Sequence, residues 1–401
     1  MTRSMRSVSG TRLHLLDEGA VLFHEHSQDL YLLNATAAFV WCCLEDGLER
    51  DQVLTAIEQE YGVARAAAAR YVDLLLLQWE QLKLLAGSER NRSPRTPPAT
   101  HPEATDPVSR STDAPHLFHE EHCYRLLTTF FRLRYASPAQ EAVVHPVLAH
   151  LETPTSAAGP AATVDLACDG EKHVLLLNGT SSERSASLDE LAPLVKGTLL
   201  LEAINNASYL LYIHAGVVRI ASGCLLLPAA PGSGKSSLTA ALIRAGFTYF
   251  SDEVALLEEG TLNVRPAPVS LCLKDGAWDL LAPRYPEIRD LAIHHRWDGK
   301  IVRYLNPPPA ALGPRPEKSD PVHWIVFPRY SPEARTELQP VPKAHALHRL
   351  LQQCVAMPAP LDQAKVASLV RWISEIPCYE LPMSSLDDAV SLVNGLCRRA
   401  A

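Results

Sequence analysis

The chain lacks the marks of several large protein classes. No stretch approaches eighteen consecutive apolar residues, which argues against a membrane-spanning helix. Its nine cysteines are odd in number and form no Cys-x-x-Cys pair, so neither a zinc ribbon nor a disulfide framework is expected; reduced thiols in a cytoplasmic protein are. Positive charge is also scarce. Thirty-seven Lys and Arg residues face forty-five Asp and Glu, a formal net charge of −8, which argues against a protein that coats nucleic acid. No long apolar run follows Met1–Arg6, so no signal peptide and no membrane partner are expected.

What is present divides the 401 residues into parts. Between Gly87 and Pro115 the chain carries Pro94, Pro97, Pro98, Pro102, Pro107 and Pro115 among many Ser and Thr residues, with few large apolar side chains. Such a segment cannot bury enough surface to fold, so a disordered linker is expected over 89–115. Residues 1–88 then form a small module. Short β-like runs at Arg12–Leu16, Ala20–His24 and Leu30–Leu33 precede three helices: Ala35–Leu44 capped by Asn34, Asp51 to about Tyr61, and Ala64 to about Leu85. Strands followed by three short helices read as a winged-helix-like α+β module.

Beyond the linker, residues 116–401 read as an α/β domain whose core spans about 205–345. Its strongest signal is the run from Gly223 to Leu242. A buried strand leads into Ala229-Ala-Pro-Gly-Ser-Gly-Lys-Ser-Ser237, which opens an apolar helix. Backbone N–H groups of such a turn, with the positive end of the helix, make a nest for phosphate oxygens at Gly232, Ser233, Gly234, Lys235, Ser236 and Ser237. Lys235 can reach the terminal phosphates of a nucleotide, and the Ser236 hydroxyl can hold magnesium. The usual first glycine of this pattern is Ala229 here. One helix later come Asp252 and Glu253, adjacent acids that can divide the holding of a metal ion and the orienting of an acceptor hydroxyl. ATP and Mg2+ are the cofactors this pattern calls for. Helices expected at Leu199–Tyr212, Lys343–Ala356, Leu361–Glu375 and Ser384–Arg399 complete the part, and His122–Arg134 reads as a strand.

Two resemblances sharpen these readings. Tyr31-Leu-Leu-Asn-Ala-Thr-Ala-Ala-Phe-Val-Trp41, with Glu45-Asp-Gly47 and Tyr61-Gly-Val63, resembles the PqqD family over roughly residues 10–86. The resemblance implies a peptide-recognition element of a system that modifies ribosomally made peptides (RiPP biosynthesis). It implies a leader peptide added as a strand beside Leu30, Tyr31 and Leu32, against a helix surface within Arg65–Leu76. DNA reading by such a module is disfavoured, because the third helix carries only Arg65, Arg70 and Lys83 as basic residues.

His214-Ala-Gly-Val217, Pro231-Gly-Ser-Gly-Lys-Ser236 and Gly246-Phe-x-x-x-Ser-Asp-Glu-Val254 together resemble the HPr serine kinase/phosphorylase family over about 205–260. That resemblance implies a P-loop fold of the carboxykinase type. It implies Asp252 as base, Glu253 and Ser236 at magnesium, Lys235 at phosphate, and His214 near the transferred group. Asp-Glu replaces the family's Asp-Asp, and no Gly-rich signature follows Glu287-Ile-Arg289, so the resemblance is to the divergent, lasso-peptide-kinase-like branch. Lys300, Arg303 and Arg329 are candidate clamps. The expected function is an ATP-dependent serine-type kinase acting on a leader-bearing precursor peptide. A regulatory kinase of a folded protein and a nucleotide-gated scaffold are the alternatives, and relatives of this kind tend to form homo-oligomers.

Overall fold

The computed structural model describes residues 7–85, 118–154, 159–169, 172–220, 223–313 and 318–399. The linker expected at 89–115 lies outside the described residues. The chain forms two compact units, and both the first unit and the second draw on segments far apart in sequence.

The first unit begins with an antiparallel meander of β1 (Thr11–Leu16), β2 (Gly19–His24) and β3 (Asp29–Asn34). Asn34 ends β3 and caps α1 (Ala35–Glu45), its side chain accepting from the Ala37 N–H at 2.8 Å. A capping box formed by Glu49 and Gln52 starts α2 (Arg50–Tyr61), and Gly62 in the left-handed region ends it. Helix α3 (Arg65–Gln81) locks onto α1 through Trp41 and Trp79, whose rings meet edge to face at 5.0 Å. This helix stops earlier than its apolar period suggests. Lys83 takes a positive φ of 60°, which turns Leu84 and Leu85 inward to close the core.

The second unit opens with β4 (Glu120–Leu126) and β5 (Thr129–Tyr135), a hairpin where one strand was expected; Leu127 at φ 53° makes the reversal. Helix α4 (Pro138–Leu148), then β6 (Ala162–Asp169), β7 (Lys172–Leu177) and β8 (Thr180–Ala186) complete a five-stranded sheet in sequence order. The next helix, α5, runs Leu188–Asn205, not Leu199–Tyr212, because Ser187 and Glu190 form a capping box at its start. Two strands follow, β9 (Leu211–Ile213) and β10 (Ala215–Ile220). Then come β11 (Gly223–Pro228), α6 (Lys235–Arg244), β12 (Thr248–Ser251) and β13 (Ala255–Leu257). Short β14 (Val264–Arg265), β15 (Leu271–Lys274), α7 (Trp278–Leu281), β16 (His294–His295) and β17 (Ile301–Leu305) precede the long β18 (Val322–Tyr330) and β19 (Gln339–Pro340). Helix α8 (Lys343–Gln352), β20 (Cys354–Ala356), α9 (Gln363–Glu375), β21 (Cys378–Met383) and α10 (Leu386–Arg399) end the chain. Cys354–Ala356, expected as helix, pairs with β9 instead.

The central sheet has the order β12-β10-β11-β18-β21-β19. The β11–β18 and β18–β21 pairs are parallel, the others antiparallel. Strand β11 is buried along its whole length, as its unbroken apolar run dictates. Leu225 and Leu227 of this strand pack with Leu238 and Leu242 of α6, which fixes the loop between them over the sheet's edge.

Helices α8 and α9 belong to the first unit, although the sequence placed them at the close of the catalytic part. The register of the β1–β3 meander explains why. Ala20, Leu22 and Leu33 face the α1–α3 core, so Val21 and Phe23 point to the other face, and both are buried. Helix α9 packs along β1, and α8 along β2 and β3. Gln28 exchanges two hydrogen bonds with the backbone of Leu361, and Gln363 donates to the Gly10 carbonyl at 2.9 Å.

Candidate functional site

In the second unit a cavity of about 650 Å3 opens where β11 meets α6. Its lining includes His214, Gly232, Ser233, Gly234, Lys235, Ser236, Ser237, Asp252 and Glu253, so every residue singled out around the glycine-rich loop reaches one space. Gly234 is the N-cap of α6 at φ +83°, a conformation that an L side chain resists, and a Cβ there would strike the Met383 methyl. The loop therefore turns tightly and aims the free N–H groups of the helix's first turn at the cavity, where an anion is favoured.

Gly216 has a different reason to be glycine. A Cβ on it would stand 2.6 Å from Thr239 Oγ1 and 3.4 Å from Lys235 Cγ. Its absence lets the first turns of α6 lie directly against β10, with the Lys235 stem between them. Thr239 in turn donates to the Lys235 carbonyl at 2.9 Å.

Lys235 is 7% exposed and Asp252 1%. The Lys235 ammonium donates to the Asp252 backbone carbonyl and lies 3.5 Å from Asp252 Oδ1. Beyond the Lys235 ion pair and the nearby Ser236 hydroxyl, the carboxylate oxygens of Asp252 find no hydrogen-bond partner. Burial raises the pKa of this carboxyl above the ordinary value, against the pull of Lys235. A buried carboxylate held only this loosely by Lys235 has room to accept a proton-bearing ligand.

Glu253 is settled differently. Burial pushes its pKa up, but Lys196, bonded to Oε1 at 2.6 Å, outweighs this and holds the carboxyl below its usual value. Ser251 shapes the turn between them, its hydroxyl accepting from the Glu253 and Val254 N–H groups at 3.3 and 3.0 Å. The Glu253 carbonyl accepts from His214 Nδ1 at 3.0 Å. A carbonyl can only accept, so Nδ1 carries the proton and Nε2 keeps its lone pair. Burial and the nearby Lys235 lower the His214 pKa to about 4, leaving a neutral imidazole at the cavity wall.

The three proposed clamps separate. Lys300 lines the cavity. Arg303 instead places its guanidinium 4.4 Å from the Trp278 ring and donates to the Ile288 carbonyl. Arg329 pairs with Glu380 at 2.8 Å. Their strands carry these side chains away from the loop. Lys274, Arg296, Tyr330 and Met383 line the cavity and were not read from the sequence. Lys196 was missed as well, although a lysine inside the apolar run Leu191–Leu201 is a signal, since a buried charge there requires a partner.

The first unit offers a second surface. Among the described residues, β3 pairs only with β2, so its other edge is unpaired by strands, and Leu30, Tyr31 and Leu32 on it are half-buried. Helix α3 presents Leu74 and Leu77, 66% and 53% exposed, three residues apart on one face. Tyr71, three residues before Leu74, donates to Asn34 Oδ1 at 3.0 Å and ties α3 to the end of β3.

Residues 19–85 match the family model of coenzyme PQQ synthesis protein D (PqqD), so the N-terminal module is of PqqD type. No curated protein matches the chain. Among solved structures, TbiB1 in complex with the TbiA(beta) leader peptide is 26% identical over 21% of this chain and 100% of its own, with a TM-score of 0.20. Lasso peptide synthetase B1 complexed with the leader peptide is also 26% identical, over 21% of this chain and 98% of its own, with a TM-score of 0.20. No helix among the described residues is long and apolar enough to cross a membrane.

Proposed function

We propose that this chain is an ATP-dependent kinase that phosphorylates a serine hydroxyl of a precursor peptide, and that the PqqD-type module captures that peptide by its leader. The observation that carries the reading is the meeting of Lys235, at the mouth of the glycine-rich loop, with the buried and underbonded carboxylate of Asp252 in one cavity. Loop amides and Lys235 bind the phosphates. Asp252, whose raised pKa suits a proton acceptor, orients the hydroxyl and takes its proton. Ser236 and Glu253 offer oxygen donors that would hold Mg2+, which when bound neutralises charge on the phosphate oxygens. Neutral His214 offers its Nε2 as an acceptor at the same wall. Lys196 keeps Glu253 ionised and in place.

For the module, the unpaired β3 edge supplies main-chain groups for an extended peptide, and Leu74 and Leu77 supply an apolar surface beside it. The PqqD match over this segment supports the same role.

Incubation with ATP, Mg2+ and a serine-containing precursor peptide that the PqqD-type module binds tests the proposal. Transfer of the γ-phosphate to a serine is expected, falling by about 10²-fold or more in Asp252→Asn and Lys235→Ala. Absence of transfer by the native protein, or undiminished transfer by Asp252→Asn, overturns it.

A further inference from the structure

Away from this cavity, β4, α4 and the turn that follows α4 bring His122, His145 and Glu152 together, each with one ligating atom within 4.8 Å of the others. We propose that these three side chains bind a first-row divalent transition-metal ion, with Zn2+ as the best-suited occupant.

The argument rests on what holds each imidazole. His122 has Nδ1 2.7 Å from Glu152 Oε1 and Nε2 3.1 Å from Glu141 Oε1. His145 has Nδ1 2.8 Å from the Tyr124 hydroxyl, itself 2.9 Å from the Tyr135 hydroxyl. A metal-binding histidine presents one nitrogen to the ion while an outer partner fixes the other. Glu141 does this for His122 and leaves Nδ1 for the ion; Tyr124 does it for His145 and leaves Nε2. The two rings stack at 4.1 Å with 22° between their planes.

Without an ion, hydrogen bonds from a single proton at His122 Nδ1 to Glu152 and from Nε2 to Glu141 engage His122 and both carboxylates. They do not involve His145, whose Nδ1 meets Tyr124 and whose ring stacks on His122. A cation in place of the proton uses all three donors. Two imidazoles and one carboxylate suit zinc and its neighbours and not Mg2+ or Ca2+, which prefer all-oxygen sets. The placement is built by the backbone: Glu152 bridges antiparallel to Tyr124, and the Thr153 N–H donates to the Cys123 carbonyl at 2.9 Å. Both histidines are half-buried and Glu152 is exposed, so the ion can enter from solvent. Bound there, it would pin α4 and the turn after it to β4.

The test uses the full-length chain, stripped with a chelator and kept free of nucleotide and Mg2+. Zn2+ is titrated by calorimetry, and Co2+ by visible absorption. The native protein and Asp252→Asn are expected to bind one equivalent at this site and to melt at a higher temperature with Zn2+. Glu152→Gln and His145→Gln should lose that equivalent and the thermal shift, and Glu141→Gln should weaken it by about 10- to 100-fold. Glu152 is exposed, so its variant should fold, and circular dichroism checks this. Equal stoichiometry and affinity in the native protein and Glu152→Gln, or no Zn2+-dependent thermal shift in the native protein, overturns the proposal.

Discussion

Lys196, in the middle of α5, and Glu253, between β12 and β13, are 57 positions apart and joined by a 2.6 Å charged hydrogen bond. The lysine is 4% exposed and lies 5.3 Å from the Tyr304 ring, so it has little water to fall back on. The pair ties the first helical layer of the second unit to the acidic turn at the cavity. Lys196→Met should therefore raise the Glu253 pKa, cost about 3 kcal/mol of stability, and slow the proposed phosphoryl transfer. Chemical denaturation and a kcat measurement at several Mg2+ concentrations read these effects; a variant as stable and active as the native chain would show the pair to be idle.

His214 sets a pH dependence of known sign. Its pKa is lowered from 6.5 to about 4 in the folded chain. The unfolded state then binds the extra proton across that interval, so stability falls as pH drops from about 6.5 toward about 4. Asp252, with a raised pKa, acts in the opposite direction, its burial costing stability as pH rises through and above the ordinary carboxyl range. Melting curves from pH 4 to 7 should be flatter for His214→Gln than for the native chain, and steeper for Asp252→Asn, which loses the opposing contribution.

Gly216→Ala drives a methyl into Thr239 and the Lys235 stem. A loss of about 1–3 kcal/mol is expected from this overpacking, with weaker nucleotide binding because Lys235 shifts. Thr239→Ala in the same chain removes the nearest atom and should restore part of both. If the double variant is no better than the single one, contact with Thr239 is not the cause.

Leu74→Asp and Leu77→Asp change exposed positions, so stability should move by no more than about 0.5 kcal/mol. Affinity for a leader peptide should fall at least tenfold, measured by fluorescence anisotropy, while the melting temperature stays close to that of the native chain.

Deleting residues 1–85 is expected to do more than remove a recognition module. Helices α8 and α9 pack on the β1–β3 meander, and Leu347, Leu350, Val366, Leu369 and Ile373 are buried. With the meander gone, part of that apolar surface meets water, so the truncated chain should aggregate or melt earlier in size-exclusion and thermal scans. A soluble, equally stable fragment would show that α8 and α9 stand without their sheet.

Much of the N-terminal module was legible from sequence because its signals are local. The caps at Asn34 and Gly62, and the alternation in β1–β3, act between residues a few positions apart. The glycine-rich loop was legible for the same reason, since strand, turn and helix N-terminus are consecutive. The hairpin at Leu127 was not, because a leucine with positive φ carries no turn signature. The start of α5 was readable in Ser187-Leu-Asp-Glu190 but was masked by the apolar run after it.

By itself, the sequence determined the order of strands and helices in the N-terminal module, the loop at Gly232–Lys235, and the nearness of two acids to it. Only the tertiary structure decided that Lys196 meets Glu253, that Arg303 and Arg329 turn elsewhere, and that α9 returns some 350 positions to close on β1. Caps, turns and periodicity are properties of neighbouring residues, while a buried charge or an apolar helix face specifies only that a partner is needed. Which partner it finds depends on how the sheets close, and no short stretch of chain encodes that.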